Sequence, residues 1–428
     1  MNWEEANPEV MRNEPLFKSF FAGGFECSTH RLADGRRLDL VAATRHEEFA
    51  LPDYRRLHQQ NLRVAREGLR WHLVEPTRGQ YDFSTALPIV RAASETGTQV
   101  IWDLCHFGGP DHLDIFSPEF ATALADYGAA FASWLKDETG GPGFFVPVNE
   151  ISFFSWAAGD EGSIFPFATD RGFELKRKLV RAVIHAMDAI WSVTPEARFV
   201  HVDPIIHVIA ALSRPEDKPE AEAYRLSQFQ AGDMISGRLC PELGGNAKYL
   251  DIVGANFYPH NQWFYNLEGH RRIRRFTPIS RKHPAYRPFR EMLAELHARY
   301  QRPIFIAETG SENRIRANWF RYVCRETQAA INASVPVKGM CLYPILNHPG
   351  WLDNRHCHNA LWDYADAYGE RKIYEPLARE LRQWQDVFET GVRPTAELAT
   401  ATSDYEETQE SLDSKSGCSD FEFQISEL

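Results

Sequence analysis

The chain has 428 residues, of which 43% are hydrophobic and 25% charged, the ordinary balance of a globular protein that buries a large core. Its formal net charge of −12 comes without a basic patch, which argues against nucleic acid or an anionic membrane as a partner. No run of residues approaches the roughly 20 apolar positions that a membrane-spanning helix needs.

Short apolar runs alternate with segments of helical periodicity along most of the chain. The predicted strands are Phe20–Phe25, Leu62–Leu69, Gln99–Leu104, Phe144–Val148, Arg198–Val202, Asp251–Asn256, Pro303–Ala307 and Lys338–Leu342. The predicted helices lie near 50–60, 84–96, 117–137, 172–192, 220–238, 285–299, 314–332 and 375–388. Eight such pairs without a break in composition favour one closed (β/α)8 barrel, a TIM barrel, over residues 1–394. An open doubly wound sheet is the alternative, but no glycine-rich phosphate loop follows the first strand.

The alternation stops after Pro394. Residues 395–428 hold nine acidic residues against one lysine, and few large aliphatic side chains. Such a segment buries too little apolar surface to offset the entropy lost on ordering. We therefore predict an acidic, disordered C-terminal tail after a single catalytic domain.

The cysteines and the N-terminus bear on the compartment. Seven scattered cysteines without C-x-x-C spacing argue against a disulfide framework and fit a reducing environment. Residues 1–15 contain acidic residues and lack the continuous apolar stretch of a signal peptide. We expect a cytoplasmic protein; its oligomeric state is not indicated.

Two of the predicted strands lead into a glutamate. Strand four continues into Asn149-Glu150, and strand seven continues into Glu308. Catalytic groups of such barrels project from the carboxyl ends of strands, and strands four and seven face one another across the mouth. Two carboxyl groups about 5 Å apart suit hydrolysis of a glycosidic bond with retention, whereas a gap of roughly 6.5–9.5 Å suits inversion.

The other strand ends supply candidate partners. On strand two, Arg66 and Arg70 share a face, so either guanidinium could pair with Glu308. His106 follows strand three and could donate to a sugar hydroxyl. Strand six ends in Asn256-Phe257-Tyr258, where the Tyr258 hydroxyl could reach Glu308. Strand eight leads into two aromatic residues that predict a cleft wall, Tyr343 and Trp351.

These residues resemble the family 1 glycoside hydrolases and their wider clan of barrels with two catalytic glutamates. The family's acid/base stands in an Asn-Glu pair after strand four, matched by Asn149-Glu150. Its nucleophile stands in a Thr-Glu-Asn-Gly pattern after strand seven. At the same place, residues 307–310 of this chain are Ala-Glu-Thr-Gly. The remaining matches are an Arg, Trp and Pro on strand two, a His on strand three, and an Asn and Tyr on strand six: Arg66, Trp71, Pro76, His106, Asn256 and Tyr258.

The resemblance implies a cofactor-free, metal-free retaining β-glycosidase with a carbohydrate substrate. Glu150 would be the acid/base and Glu308 the nucleophile, and Asn149 would contact the sugar 2-hydroxyl. Three departures imply an altered glycone. Where the family has a glycone-binding Gln after strand one, the nearest residues of this chain are Thr29 and His30. Where the family has a Glu before the last Trp, this chain has Gly350, and Tyr343 stands in place of a Trp.

Other functions stay open at this stage. The same site could transfer the glycosyl group to an alcohol, or the barrel could bind carbohydrate without catalysis. Arg355, with His356 and His358, offers a weak candidate for binding a phosphosugar. A zinc site built from His348, His356, Cys357 and His358 is a further alternative, although the spacing matches no known zinc motif.

Overall fold

The computed structural model describes residues 15–265 and 277–390, so the predicted tail lies outside the described residues. Eight parallel strands close into one barrel. In chain order β1 to β8 are Phe21–Gly24, Val64–Gly68, Gln99–Asp103, Phe144–Val146, Arg198–Pro204, Ile252–Asn256, Ile304–Thr309 and Val337–Leu342. Each strand pairs with the next, and β8 pairs with β1 in the register Phe21 to Met340. The closed barrel confirms the predicted (β/α)8 fold and excludes the doubly wound sheet.

In the part of the chain that the structure describes, helices surround the barrel at all eight predicted places, and three more, Leu40–Ala43, Trp71–Val74 and Ile151–Gly159, were not predicted. The helices are Leu40–Ala43, Ala50–Gln59, Trp71–Val74, Leu87–Thr96, Glu119–Thr139, Ile151–Gly159, Gly172–Val193, Lys218–Leu226, Gln230–Ile235, Phe289–Tyr300, Arg316–Asn332 and Glu375–Glu389. The helix predicted at 220–238 is two helices joined by a 3-10 turn at Ser227–Phe229. Within the described ranges, no helix combines the length and apolar character needed to cross a bilayer.

Two proline residues explain shifted element ends. β4 stops at Val146, two residues before its predicted end, because Pro147 has no N–H to donate to the neighbouring strand. The helix predicted at 285–299 begins at Phe289, because Pro288 lacks the N–H that a position further inside the helix would have to donate. Asn149 and Glu150 follow the end of β4 in both the predicted and the observed strand.

A small second sheet stands beside the barrel and was not predicted. Its strands are His207–Ala210, Gln262–Tyr265 and Thr277–Pro278, the first pair parallel and the second antiparallel. Val208, Trp263 and Tyr265 form its small apolar core. Both longer strands belong to the connections that follow β5 and β6, so the sheet lies on the carboxyl side of the barrel.

The interior of the barrel is apolar towards the amino ends of the strands. Val64, Ile101 and Val200 are fully buried there. The ring of Phe17 lies 5.5 Å from that of Phe144 and 4.9 Å from that of Phe305, so aromatic packing fills this end. Charged residues gather instead at the carboxyl ends, where the chain leaves each strand.

Candidate active site

The carboxyl ends of the strands open into a cavity of about 590 Å³, within the size range of small-ligand sites. Seven of the nine predicted site residues line it: His106, Asn149, Glu150, Tyr258, Glu308, Tyr343 and Trp351. The other two, Arg66 and Asn256, are fully buried and contact the glutamates. The structure thus brings all nine residues together at one end of the barrel.

Glu308 lies within β7, directly opposite Asn256 of β6 in the strand register. Its Oε1 accepts a hydrogen bond from the Arg66 guanidinium (2.7 Å), and its Oε2 accepts one from the Tyr258 hydroxyl (2.8 Å). A cation on one oxygen and a hydroxyl on the other hold the carboxylate in a fixed orientation. Glu308 remains in contact with the cavity through the small part of its surface that is exposed.

Arg66 has an acceptor for each of its five N–H groups. It donates to both oxygens of Asp103 (3.0 and 2.6 Å), to the Asn149 amide oxygen (2.7 Å), to Glu308, and to the Ala307 carbonyl (3.2 Å). Burial alone would lower the pKa of Arg66, but the carboxylates of Asp103 and Glu308 raise it well above its ordinary value. The guanidinium is therefore a permanent positive charge beneath the cavity.

The sequence left open whether Arg66 or Arg70 would pair with Glu308, and the structure selects Arg66. Arg70 lies beyond the end of β2 at Gly68, so the strand alternation that would have kept the two arginines on one face does not extend to it. Arg70 instead pairs with Asp39 (3.3 Å) and Glu47.

A chain of hydrogen bonds fixes the orientation of Asn149. Because Arg66 can only donate, it takes the amide oxygen, and the amide nitrogen then donates to His106 Nε2 (3.1 Å). His106 consequently carries its proton on Nδ1, which lies 2.7 Å from Asp103. Asn149 thereby presents its remaining N–H in a set direction on the cavity wall.

Glu150 has a different environment from Glu308. Its backbone adopts a left-handed conformation, φ 43°, and its N–H donates to the Val202 carbonyl (3.0 Å). Its Oε1 accepts from the Asn256 amide (2.7 Å). Burial, and then the nearby negative charge of Glu308, raise the pKa of Glu150 well above its ordinary value. The two glutamates therefore have different environments. Glu308 is paired with a cation, whereas Glu150 is favoured in its protonated form.

Asp203, at the end of β5, is a site residue that the sequence analysis missed. Its carboxylate accepts from the backbone N–H (2.8 Å) and the hydroxyl (3.1 Å) of Ser152, two residues after Glu150. Burial raises the pKa of Asp203 to about 7, and its charge in turn contributes to raising the pKa of Glu150. The predicted strand stopped one residue short of this carboxylate.

Glu26 is the second missed residue. It lines the cavity two residues beyond β1, whereas the side chains of Thr29 and His30, the nearest positions to the family's glycone-binding Gln, are buried away from it. The rule that found the other candidates, a polar residue just past an apolar strand, applies equally to Glu26. The predicted strand ended at Phe25, immediately before it.

The potential metal ligands have other partners. Within the described ranges, only Cys27, Asp103 and His106 bring three ligand atoms within 4.8 Å of one another. Both oxygens of Asp103 already accept from Arg66, whose positive charge would oppose a cation there. In the alternative zinc grouping, His348 faces the Pro349 carbonyl (2.9 Å) through Nδ1 and the Asn359 amide (3.0 Å) through Nε2.

Comparison with known proteins gives matches at the level of structure. No family model matches the chain, and neither does any curated protein sequence. The AHE enzyme from Alicyclobacillus herbarius superposes with a TM-score of 0.70 at 16% identity, covering 86% of this chain and 99% of that one. The family 1 β-glucosidase from Thermotoga maritima superposes with a TM-score of 0.69 at 14% identity, covering 88% and 98%. Its complex with methoxycarbonyl-substituted glucoimidazole superposes with a TM-score of 0.69 at 14% identity, covering 89% of this chain and 100% of that one. The chain therefore has the (β/α)8 fold of the solved family 1 β-glucosidases, in agreement with the resemblance in its motifs.

Proposed function

We propose that this protein is a retaining β-glycosidase that acts through a covalent glycosyl-enzyme. The observation that carries the proposal is the contrast between two glutamates on one cavity. Glu308 is paired with a buried guanidinium, and Glu150 has a raised pKa. A carboxylate nucleophile and a protonated carboxylic acid are the two groups that this reaction requires.

In the first step, the Glu308 carboxylate attacks the anomeric carbon while the bond from that carbon to the leaving oxygen breaks. Glu150 transfers its proton to that oxygen, so that the leaving group departs as a neutral alcohol. The product is a glycosyl ester of Glu308 and an ionised Glu150. Formation of the ester removes the negative charge of Glu308, one of the causes of the raised pKa of Glu150, which suits Glu150 to its next role as a base.

In the second step, Glu150 takes a proton from water, whose oxygen attacks the anomeric carbon and releases Glu308. An alcohol in place of water would give transfer instead of hydrolysis, from the same intermediate. Two inversions at one carbon give net retention. Hydrolysis is the simpler proposal because it needs no binding site for a second substrate.

The remaining site residues bind or orient. Asn149 would donate to the sugar 2-hydroxyl, an interaction that strengthens in an oxocarbenium-like transition state. Trp351 would supply an apolar wall, since its ring packs edge-on against Phe107 (5.9 Å between ring centres) beside the cavity. His106 and Tyr343 complete the sugar-facing surface. Arg66, Tyr258 and Asn256 act as positioning residues, through their hydrogen bonds to the two glutamates.

The proposal is tested with aryl β-glycosides: glucoside, galactoside, mannoside, fucoside, xyloside and 6-phosphoglucoside. We expect the wild-type protein to release the aryl alcohol from at least one of them and to give, by NMR, an initial β-anomer. An initial α-anomer would mean an inverting mechanism. Carbohydrate binding without turnover of any activated glycoside would favour the non-catalytic alternative.

Removing the charge of Asp203 should shift the pH profile of this activity. The acid form of Glu150 is needed for the first step, so activity falls as pH rises through the pKa of Glu150. Asp203→Asn keeps an acceptor for Ser152 and removes a negative charge that raises this pKa, so the basic limb of kcat/KM should move to lower pH. The control is Asp188→Asn, because Asp188 binds Lys248 and Tyr249 and does not line the cavity. If the basic limb of Asp203→Asn stays at the wild-type pH or moves to higher pH, the charge of Asp203 does not raise the pKa of Glu150.

A further inference from the structure

One side of the cavity is formed by the connections that follow β4, β5 and β6. Five aromatic side chains line it there, and none of them is among the predicted site residues: Phe153, Trp156, Phe173, Tyr224 and Trp263. The helix Ile151–Gly159, which carries the first two of these rings, begins directly after Glu150. In the proposed reaction Glu150 protonates the leaving oxygen, so the leaving group would lie against this side of the cavity.

A buried lysine lines the same side. Lys176, near the start of the helix Gly172–Val193, is 7% exposed. Its ammonium has three N–H groups, one of which donates to the Gln230 amide oxygen (2.9 Å). Within the described ranges, the ammonium makes no other hydrogen bond and no ion pair. Two donors of a nearly buried cation therefore remain for a bound molecule.

Gln230 adds further donors beside Lys176. Because lysine can only donate, it takes the amide oxygen of Gln230 and leaves the amide nitrogen for another partner. That nitrogen finds no acceptor among the residues that the structure describes, and Gln230 lines the cavity. The ammonium and the amide nitrogen form a donor pair, which suits an oxygen that accepts hydrogen bonds.

The charges near the donor pair favour an acceptor without charge. Burial lowers the pKa of Lys176, and the carboxylates of Asp203 and Asp160 partly offset this effect. These carboxylates are close enough to act on the ammonium, although neither forms an ion pair with it. A carboxylate or phosphate on the ligand would face their negative charge, whereas a carbonyl, ether or hydroxyl oxygen would not be repelled.

From these contacts we infer that Lys176 and Gln230 bind the leaving group by donating hydrogen bonds to one of its uncharged oxygens. The inference rests on the proposed function for the identity of the ligand as a leaving group. A leaving group of hydrocarbon alone would keep the buried donors unpaired, which disfavours binding. An aromatic aglycone with a carbonyl and a second sugar both offer the required oxygen, together with an apolar face for the aromatic side chains.

Lys176→Met is the direct test, because methionine keeps an unbranched apolar stem and removes the three donors. The substrates are the 3- and 4-acetylphenyl glycosides of the accepted sugar, with the 3- and 4-ethylphenyl glycosides as matched compounds that lack the oxygen. On the better acetylphenyl glycoside, kcat/KM should fall by about 10- to 100-fold, the range expected for losing a hydrogen bond to a charged group. On its ethylphenyl counterpart it should fall by less than about threefold, because no hydrogen bond is lost. Equal losses overturn the inference.

A purely electrostatic role of Lys176 would give the opposite pattern. Removing the cation leaves the charge of Asp203 uncompensated beside Glu150, which would weaken Glu150 as an acid. Ethylphenol is the poorer leaving group and depends more on protonation, so the ethylphenyl glycosides would then lose more activity than the acetylphenyl glycosides. That result would also overturn the inference.

Once an acetylphenyl glycoside shows the selective loss, a disaccharide of the same glycone β-linked to glucose separates the two sources of the oxygen. Glucose is a poor leaving group, so bond breaking is slow and KM reports on binding. An increase of KM by about 10-fold or more in Lys176→Met would identify a second sugar as the leaving group. An unchanged KM would identify an aromatic aglycone.

Binding of the free aglycones distinguishes this inference from the proposed reaction, for which the readout is labelling of Glu308 by a 2-deoxy-2-fluoro glycoside. Calorimetric titration compares 3- and 4-hydroxyacetophenone with 4-ethylphenol and 4-hydroxybenzoate. If labelling fails but wild type binds a ketone more tightly than 4-ethylphenol, and Lys176→Met loses this difference, only the reaction is wrong. If wild type shows no such difference or binds 4-hydroxybenzoate most tightly, or if the difference persists in Lys176→Met, the inference fails.

Two further variants control for folding. Lys136→Met removes an exposed lysine from the helix Glu119–Thr139 and should match wild type in all readouts. If Lys176→Met melts far below wild type, Gln230→Glu takes its place, because glutamate keeps an oxygen for Lys176, has no amide donor and pairs with the ammonium. Gln230→Glu should also lose the preference for acetylphenyl over ethylphenyl glycosides; an unchanged preference would overturn the inference.

Discussion

Glu308→Ala should lose hydrolysis of aryl β-glycosides by on the order of 10⁶-fold, the scale reached when a catalytic nucleophile is removed. The loss should be this large because no other carboxylate takes its place: the oxygens that Arg66 and Tyr258 hold in position belong to Glu308 itself. Covalent labelling by a 2-deoxy-2-fluoro glycoside, which traps the glycosyl ester, should disappear with the activity.

The measurement is the mass of the intact protein after incubation with the inhibitor, followed by peptide mapping. Wild type should gain the mass of one fluorosugar on the peptide that contains Glu308. The control variant Glu138→Gln, which removes an exposed carboxylate from the helix Glu119–Thr139, should do the same. A label on another residue, or undiminished labelling of Glu308→Ala, would contradict the assignment of the nucleophile. Thermal melting of each variant verifies that the barrel is intact.

Glu150→Ala should lose about 10²- to 10⁴-fold in activity on glycosides with poor leaving groups, the usual contribution of a positioned general acid. Activated aryl glycosides need little protonation, so their first step should be much less affected. The glycosyl ester should then accumulate, because Glu150 also activates water in the second step. External azide is already a strong nucleophile, and in the space left by the carboxyl group it should restore turnover.

The diagnostic product of this rescue is a β-glycosyl azide, identified by NMR. An α-azide would mean that azide attacks the substrate directly and not the ester on Glu308. Absence of rescue, with normal melting, would count against Glu150 as the acid/base. Glu308→Ala is the matched comparison, because azide attack on its substrate from the vacated face would give the α-product.

Most of the fold follows from local sequence patterns. Each barrel strand is an apolar run with a helix after it, and all eight predicted runs overlap an observed strand. The small sheet escaped prediction because its strands, His207–Ala210 and Gln262–Tyr265, are short and lie more than fifty positions apart. Pairings between distant short segments leave no periodicity in the sequence, so only the assembled fold defines them.

The strand-end rule found the paired glutamates and missed their supporting carboxylates for identifiable reasons. Glu26 and Asp203 lie immediately past the predicted ends of β1 and β5, where the same rule would have selected them. Asp103 lies inside the apolar run of β3, where a fully buried carboxylate is not expected. It is stable there because Arg66 of the neighbouring strand supplies its counter-charge, a tertiary pairing that single-strand reasoning does not reveal.

Because each of the five N–H groups of Arg66 already has an acceptor, the residues around Arg66 cannot be redesigned one at a time. Lysine offers three donors in place of five, so Arg66→Lys would leave an acceptor on Glu308, Asn149 or Asp103 without its hydrogen bond. None of these four positions therefore tolerates independent change. Trp351 also lines the cavity, but it takes part in none of these hydrogen bonds. Substitutions meant to change the shape of the cavity are therefore better made there, where the hydrogen bonds that orient Glu308 and Asn149 stay in place.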